Sequence, residues 1–189
     1  QKLLAELVGV SLAVGLGLQV VTLPCIGLGL ALGIFYLVGA ANALNLMDGL
    51  DGLAGGLAAI AAFFFALLFV REGNPGGLIL ALAVVGAALG FLPHNLGFHV
   101  SRNPKSLVFM GDSGSLSFGF LLGALGVLYA AKPYDGAAFL SPLLILGLLV
   151  ADTALAILRR FNALADFFTG DRRHLYDLVL MNERGVADA

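Results

Sequence analysis

Charge is scarce in this chain. Of 189 residues only 12% are Asp, Glu, Lys or Arg, whereas 60% are hydrophobic and the mean hydropathy is +1.00, a balance that excludes a soluble globular domain and marks an integral membrane protein. Cysteine is scarcer still. Cys25 stands alone, so an internal disulfide and a thiolate metal cluster are both excluded, and it reads as a small core residue. There is no initiator Met, no basic leader region and no small-residue cleavage site, so no signal peptide is read. The abrupt start at Gln1 and the polar end at Ala189 lead to the expectation of a piece of a longer protein. His94, His99 and His174 lack helical zinc spacing, no Gly-rich Walker sequence precedes a Lys-Ser or Lys-Thr, and Ser113 has no evident base partner. The net charge of −2 says little by itself, because the basic residues are unevenly placed, and no nucleic-acid partner is expected.

What the chain does have is apolar length. A membrane-spanning helix needs roughly 20 mostly apolar residues, and six such runs are legible at about 3–21, 26–46, 53–70, 78–98, 114–131 and 139–158. The expected fold is therefore all-α: a polytopic membrane helix bundle of about six transmembrane helices, forming a single domain over residues 1–189, with 159–189 as a polar cytoplasmic segment after the sixth helix. Gly and Ala are dense in every run, which suits helices that approach closely without a hydrophobic drive to associate. The connections at 22–25 and 71–77 read as plain turns. Pro93 is expected to kink the fourth helix near its end, and His94 and Asn95 either satisfy the freed backbone groups, the preferred reading, or face the site.

Six passes place the N-terminus, the 42–52 and 100–112 connections and everything after residue 158 on one side. That side carries Lys2, Arg102, Lys105, Arg159, Arg160, Arg172, Arg173 and Arg184, leaving only Arg71 and Lys132 of the ten basic residues opposite. Such asymmetry marks the crowded side as cytoplasmic.

Polar residues concentrate on that same side. Asn42, Asn45, Asp48 and Asp51 recur every third residue at the end of the second run. On a continuous helix the first three share one broad face, and Gly49 and Gly52 supply the freedom to end the helix and return Asp51 toward the others. A polar helix end with a glycine stop is the plain alternative. The second group, Phe109-Met110-Gly111-Asp112-Ser113-Gly114-Ser115, precedes the fifth run, and Asp112 reads either as a helix N-cap or as a site acid. The third, Gly170-Asp171-Arg172-Arg173-His174-Leu175-Tyr176-Asp177, is alone no more than a solvated juxtamembrane tail. Taken together, carboxylate and carboxamide oxygens suit a hard Mg²⁺ ion, and Arg172, Arg173 and His174 supply cations for phosphate oxygens. The combination is the equipment for handling a diphosphate. Asp152, inside the sixth run, is read as reaching water or pairing with Arg159 or Arg160, and Glu6, Asp166, Glu183 and Asp188 as solvated surface.

The three groups, in this order and with Leu53-Ala54-Gly55-Gly56 following the first, resemble the polyprenyl-phosphate N-acetylhexosamine-1-phosphate transferases. The similarity extends to Pro142 and Asp152. It implies transfer of a sugar 1-phosphate from a UDP-sugar to undecaprenyl or another polyprenyl phosphate with release of UMP, with Mg²⁺ as cofactor and Mn²⁺ as its substitute. By motif, Asn45 and Asp112 correspond to Mg²⁺ ligands, and Asp48, Asp51 and His174 to catalytic positions. Asp51 corresponds also to a contact for the uridine base, Asp48 to a polar wall of that pocket, and Asn42, Arg172, Arg173 and His174 to substrate-binding positions. A charged phosphate nucleophile needs alignment and charge neutralisation more than a Ser or Cys nucleophile.

Two departures stand out. The family carries an adjacent Asp-Asp pair ahead of the region matching Gln1, and this chain has none. Many relatives read His-x-His-His where this chain reads His174-Leu175-Tyr176-Asp177, so only His174 inherits a histidine role. A homodimer through a flat apolar helix face is compatible with the sequence. Two other functions compete: an ion-coupled transport protein with Asp48, Asp51 and Asp152 along its pathway, and a non-catalytic remnant of the transferase. No inverted repeat is evident, and three acids spread through the membrane depth are not found.

Overall fold

The computed structural model describes residues 2–15, 26–97, 108–131 and 136–162. Among these the chain is helical, with α1 (Lys2–Gly15), α2 (Ile26–Leu46), α3 (Leu53–Glu72), α4 (Pro75–Asn95), α5 (Gly111–Ala130), α6 (Gly136–Ile145) and α7 (Gly147–Asn162). The cause is local. A chain surrounded by hydrocarbon must satisfy its backbone polar groups within each segment, and Leu/Ala-rich runs do so as helices. Four helices, α2 to α5, are long and apolar enough to cross a membrane, and the pair α6 and α7 makes a fifth if counted as one span. Of the first predicted span, α1 covers residues 3–15, and residues 16–25 lie outside the described ones.

The sixth predicted span is not one helix. It breaks at Leu146, and the halves meet at a 68° bend. The backbone ladder survives the break: the Leu146 N–H donates to Pro142 O at 3.1 Å and the Val150 N–H to Leu146 O at 2.9 Å. Pro142 sits inside α6 and Gly147 begins α7, a proline and a glycine being usual companions of a sharp bend. From α2, the Tyr36 hydroxyl donates to Pro142 O at 3.1 Å, pinning the bend to the bundle. Asp152 on α7 is 1% exposed and has interaction partners, which overturns the expectation that it reaches water.

Two helix pairs make the body. In the α3–α4 hairpin, the Asn74 side chain accepts the Gly77 N–H at 3.0 Å and Pro75 occupies the first turn of α4, so the chain reverses within two residues of Glu72. The turn at 71–77 is the plain connector expected. Ala58, Ala62, Phe65 and Phe69 of α3 are buried with Ala81, Val84 and Ala88 of α4, while Phe63, Phe64, Ile79 and Leu82 face outward. The second pair, α2 and α5, sets the site. A methyl on Gly119 would lie 2.6 Å from both Ala40 O and Ala41 Cα, one on Gly123 3.3 Å from Leu37 Cα, and one on Gly126 2.6 Å from the Tyr36 ring. At Gly119, where the neighbours are backbone atoms, only hydrogen permits so close an approach, and Gly123 and Gly126 add to the closeness of the packing. The C-terminal end of α2 and the N-terminal end of α5, which carry the first two motifs, are thereby held side by side.

Candidate active site at the ends of α2 and α5

The 42–52 stretch divides at Leu46. Asn42 and Asn45 lie on the last turns of α2, and Asp48 follows on a tightened turn in which the Met47 N–H donates to Leu44 O at 3.1 Å and the Asp48 N–H to Asn45 O at 3.3 Å. Gly52, with φ of 82°, then opens α3. Of the two glycines expected to supply backbone freedom here, Gly52 adopts the left-handed conformation and Gly49 does not. The second motif begins at Gly111, also left-handed with φ of 62°, and Met110 holds the N-cap position of α5. Asp112 is therefore a first-turn residue whose carboxylate is free of capping duty.

That carboxylate turns toward α2. Asn45 Nδ2 donates to Asp112 Oδ1 at 3.0 Å and to Ser115 Oγ at 2.8 Å, joining positions 67 and 70 residues apart. Ser115 is fully buried and donates in turn to Gly111 O at 2.9 Å. It carries the contact and was missed in the sequence, where a serine in a glycine-flanked motif gives no sign of which way it points. Asp48 faces the same place. Its burial pushes the carboxyl above the usual range, the Gly111 backbone N–H opposes this by hydrogen bonding the carboxylate, and the neighbouring charges of Asp112 and Asp51 push it further up. Three of the predicted acids thus share one electrostatic site.

Asn95, for which the sequence favours a structural role at the end of α4 over facing the site, belongs to this site as well. It is 5% exposed. Its Oδ1 accepts the Gly52 N–H at 2.5 Å and its Nδ2 donates to Val108 O at 2.9 Å, with a longer 3.5 Å contact to Asp51 Oδ1.

Asn42 lies a turn before Asn45 and engages another partner. Its Nδ2 donates to Glu6 Oε2 at 2.6 Å and to Val38 O at 2.9 Å. Glu6 is not solvated surface: it is partly buried, and its Oε1 is shut from solvent without a hydrogen-bond partner among the described residues. Beside it a groove of about 590 Å³ runs between α1, α2 and α5, lined by Val10, Leu37, Val38, Phe120 and Leu121 and by Ser113 and Ser117 nearer the Asp112 end. The predicted positions Arg172, Arg173 and His174 lie outside the described residues.

Among the described residues no three His, Cys, Asp or Glu side chains are grouped to hold a metal ion. A magnesium ion does not need such a cage, since it characteristically takes one or two protein oxygens and leaves its other positions to water and phosphate. Asp112 offers carboxylate oxygens at this contact, and Asn45, whose Nδ2 makes it, offers its Oδ1 with the carboxamide turned over. The mutual repulsion of Asp48, Asp51 and Asp112 is the charge imbalance a divalent cation relieves. The residues fit.

Residues 1–130 match the family model of glycosyl transferase family 4. Among curated proteins, the chain is 36% identical over 149 residues to a probable undecaprenyl-phosphate N-acetylglucosaminyl 1-phosphate transferase of Bacillus subtilis (strain 168), a match covering 79% of this chain and 40% of that protein. It is 48% identical over 94 residues to the phospho-N-acetylmuramoyl-pentapeptide-transferase of Rippkaea orientalis (strain PCC 8801 / RF-1), covering 50% of this chain and 24% of the relative. The same-named enzyme of Bacillus thuringiensis (strain Al Hakam) is 47% identical over 95 residues, covering 50% and 27%. The chain thus spans about two fifths or less of the length of these relatives. With the matched region enclosing both motifs that meet between α2 and α5, the chain belongs to glycosyl transferase family 4.

Proposed function

We propose that the full-length protein transfers an N-acetylhexosamine 1-phosphate from its UDP derivative to a polyprenyl phosphate at the cytoplasmic membrane surface, releasing UMP and starting a lipid-linked glycan. The observation that carries this reading is the 3.0 Å contact from Asn45 to Asp112. Two polar groups that the sequence alone offers separately are held together at one end of a membrane bundle, with Asp48 and Asp51 beside them.

In the reaction a phosphate oxygen of the lipid attacks the β-phosphorus of the UDP-sugar. The bond from that phosphorus to the bridging oxygen breaks, and UMP leaves with the electron pair. Both reactants are anionic, so alignment and neutralisation dominate the barrier. Asn45 and Asp112 would hold Mg²⁺, which when bound neutralises diphosphate charge and orients the leaving group. Asn45 is itself hydrogen-bonded to Ser115, which keeps its carboxamide beside Asp112. The groove between α1, α2 and α5 opens beside Ser113 at the same end. Its apolar walls suit a prenyl chain whose phosphate lies toward Asp112. N-Acetylglucosamine is the preferred sugar, in keeping with the printed name of the Bacillus subtilis relative.

The test is reconstitution of the full-length protein in nanodiscs with undecaprenyl phosphate, Mg²⁺ and UDP-sugar labelled in the sugar. Labelled lipid and stoichiometric UMP are expected with UDP-N-acetylglucosamine, and both vanish with EDTA. Asp112→Ala should lower turnover by about 10²–10³-fold, the usual loss when one electrostatic stabiliser is removed. Absence of labelled lipid with every UDP-N-acetylhexosamine, alongside ion flux in the same vesicles, would overturn the reading in favour of transport.

A further inference from the structure

The buried Asn95 carboxamide joins two parts of the chain, residues 51–52 and Val108, that have no covalent reason to move together. Its oxygen holds the N–H of Gly52, at the opening of α3 and 43 residues away in sequence. Its nitrogen holds the carbonyl of Val108, three residues before Gly111, and reaches the Asp51 carboxylate. A primary amide is the side chain that presents an acceptor and two donors in one plane, and here all are directed at backbone or side chain of the two motif segments. The left-handed Gly52 matters to this arrangement. Its carbonyl accepts the Gly56 N–H at 2.8 Å to begin α3, which leaves the Gly52 N–H pointing out of the helix, where Asn95 collects it.

We infer that Asn95 is a positioning residue of the transfer reaction: it locks the 51–52 end of the turn to the Val108 segment ahead of α5, and so fixes Asp51 relative to Asp48 and Asp112 without touching substrate. The inference rests on the transferase reading for its kinetic consequence but not for its structural one. Close packing of α2 on α5 aligns Asn45 with Asp112. Asp48 is tied to the same pair, through its N–H to Asn45 O and through the Gly111 N–H on its carboxylate, whereas Asp51 lies further along the turn, beyond the end of α2. Asn95 supplies the restraint on Asp51 from the end of α4, where Phe91, Leu92 and Leu96 also lie beside Gly55 and Gly52.

Two substitutions separate its bonds in the full-length protein. Asn95→Ala removes all of them, whereas Asn95→Asp keeps the acceptor for Gly52 and loses the donors to Val108 and Asp51. Amide hydrogen exchange read by mass spectrometry in nanodiscs should rise in both the 47–53 and 108–112 peptides for Asn95→Ala, and chiefly in the 108–112 peptide for Asn95→Asp. The interiors of α2, α3 and α5 should stay protected in both. In the transfer assay kcat should fall about 10- to 100-fold, the range for loss of a supporting hydrogen bond behind a metal site, with a smaller change in KM for the UDP-sugar. Unchanged kcat in active protein overturns the inference, as does a loss confined to KM, which would make Asn95 a substrate contact. Exchange that rises evenly through all helices also overturns it, by reducing Asn95 to a general fold element. If wild-type protein shows no transfer, the exchange pattern still decides the inference while the transferase reading falls alone.

Discussion

At the residue scale, the site is a place where function opposes stability. Asp48 sits partly buried beside the charges of Asp112 and Asp51, and its carboxyl is raised by desolvation first and by those charges after it. A carboxyl whose pKa is higher folded than unfolded favours the folded state while protonated. That contribution is present at low pH and lost as pH rises through the folded value, so at neutral pH the ionised group is a net burden on the metal-free fold. Asp48→Asn should therefore raise the thermal midpoint of the EDTA-treated full-length protein at pH 7 by on the order of 2 °C, and lower transfer by about 100-fold or more. Added Mg²⁺ should narrow the difference in midpoint by stabilising the wild type more. A variant less stable than wild type in EDTA would show that Asp48 is held by attraction and not by the geometry described.

The same scale shows what was legible. Asn45, Asp48 and Asp112 stand out in the sequence because polar groups beside hydrocarbon are costly and these recur in glycine-flanked clusters. Asn95 and Ser115 do not, because a single carboxamide near a helix-end proline and a single serine among glycines have ordinary structural explanations. Their roles come from contacts 43 and 70 residues distant. Glu6 was misjudged for a related reason: its partner Asn42 is on another helix, 36 residues on.

At the scale of elements, the arrangement depends on α2 and α5 approaching to backbone contact. Ala at 119 would place its methyl 2.6 Å from the Ala40 carbonyl oxygen and from Ala41 Cα, atoms that belong to a helix and cannot rotate aside. Gly119→Ala should cost about 1–3 kcal/mol of stability, the range for overpacking a filled interior, and should reduce transfer as well by separating Asn45 from Asp112. Gly86→Ala on α4, where an added methyl meets nothing within 4 Å, should leave both nearly unchanged. Retained size-exclusion profiles after heating, measured beside turnover, distinguish the two. Equal behaviour of the variants would mean that α2 and α5 have slack between them. Helices of this kind are easy to find from composition, and the α3–α4 turn was marked by Gly73, Asn74 and Pro75. The bend at Leu146 was not found. Apolar residues continue without interruption on both sides of it, so hydropathy reads one span where the backbone makes two.

For the whole molecule the decisive property is sidedness. If α2 to α5 each cross the membrane, the α2–α3 turn and the start of α5 fall on one surface and the α3–α4 turn on the other. Basic residues are sparse near the latter, Arg71 being the one beside that turn, so the electrostatic argument puts the motif side in the cytoplasm. Nucleotide-sugar substrates would then reach Asp112 without crossing the bilayer. The expectation can be read directly in cells producing the full-length protein stripped of its native cysteines. Leu50 and Arg71 are both exposed, on opposite sides of α3. A membrane-impermeant maleimide should label Arg71→Cys in intact spheroplasts and Leu50→Cys only in inverted vesicles or after permeabilisation. The reverse pattern would place the acidic cluster outside, away from nucleotide, and labelling of both positions from one side would mean that α3 does not cross at all.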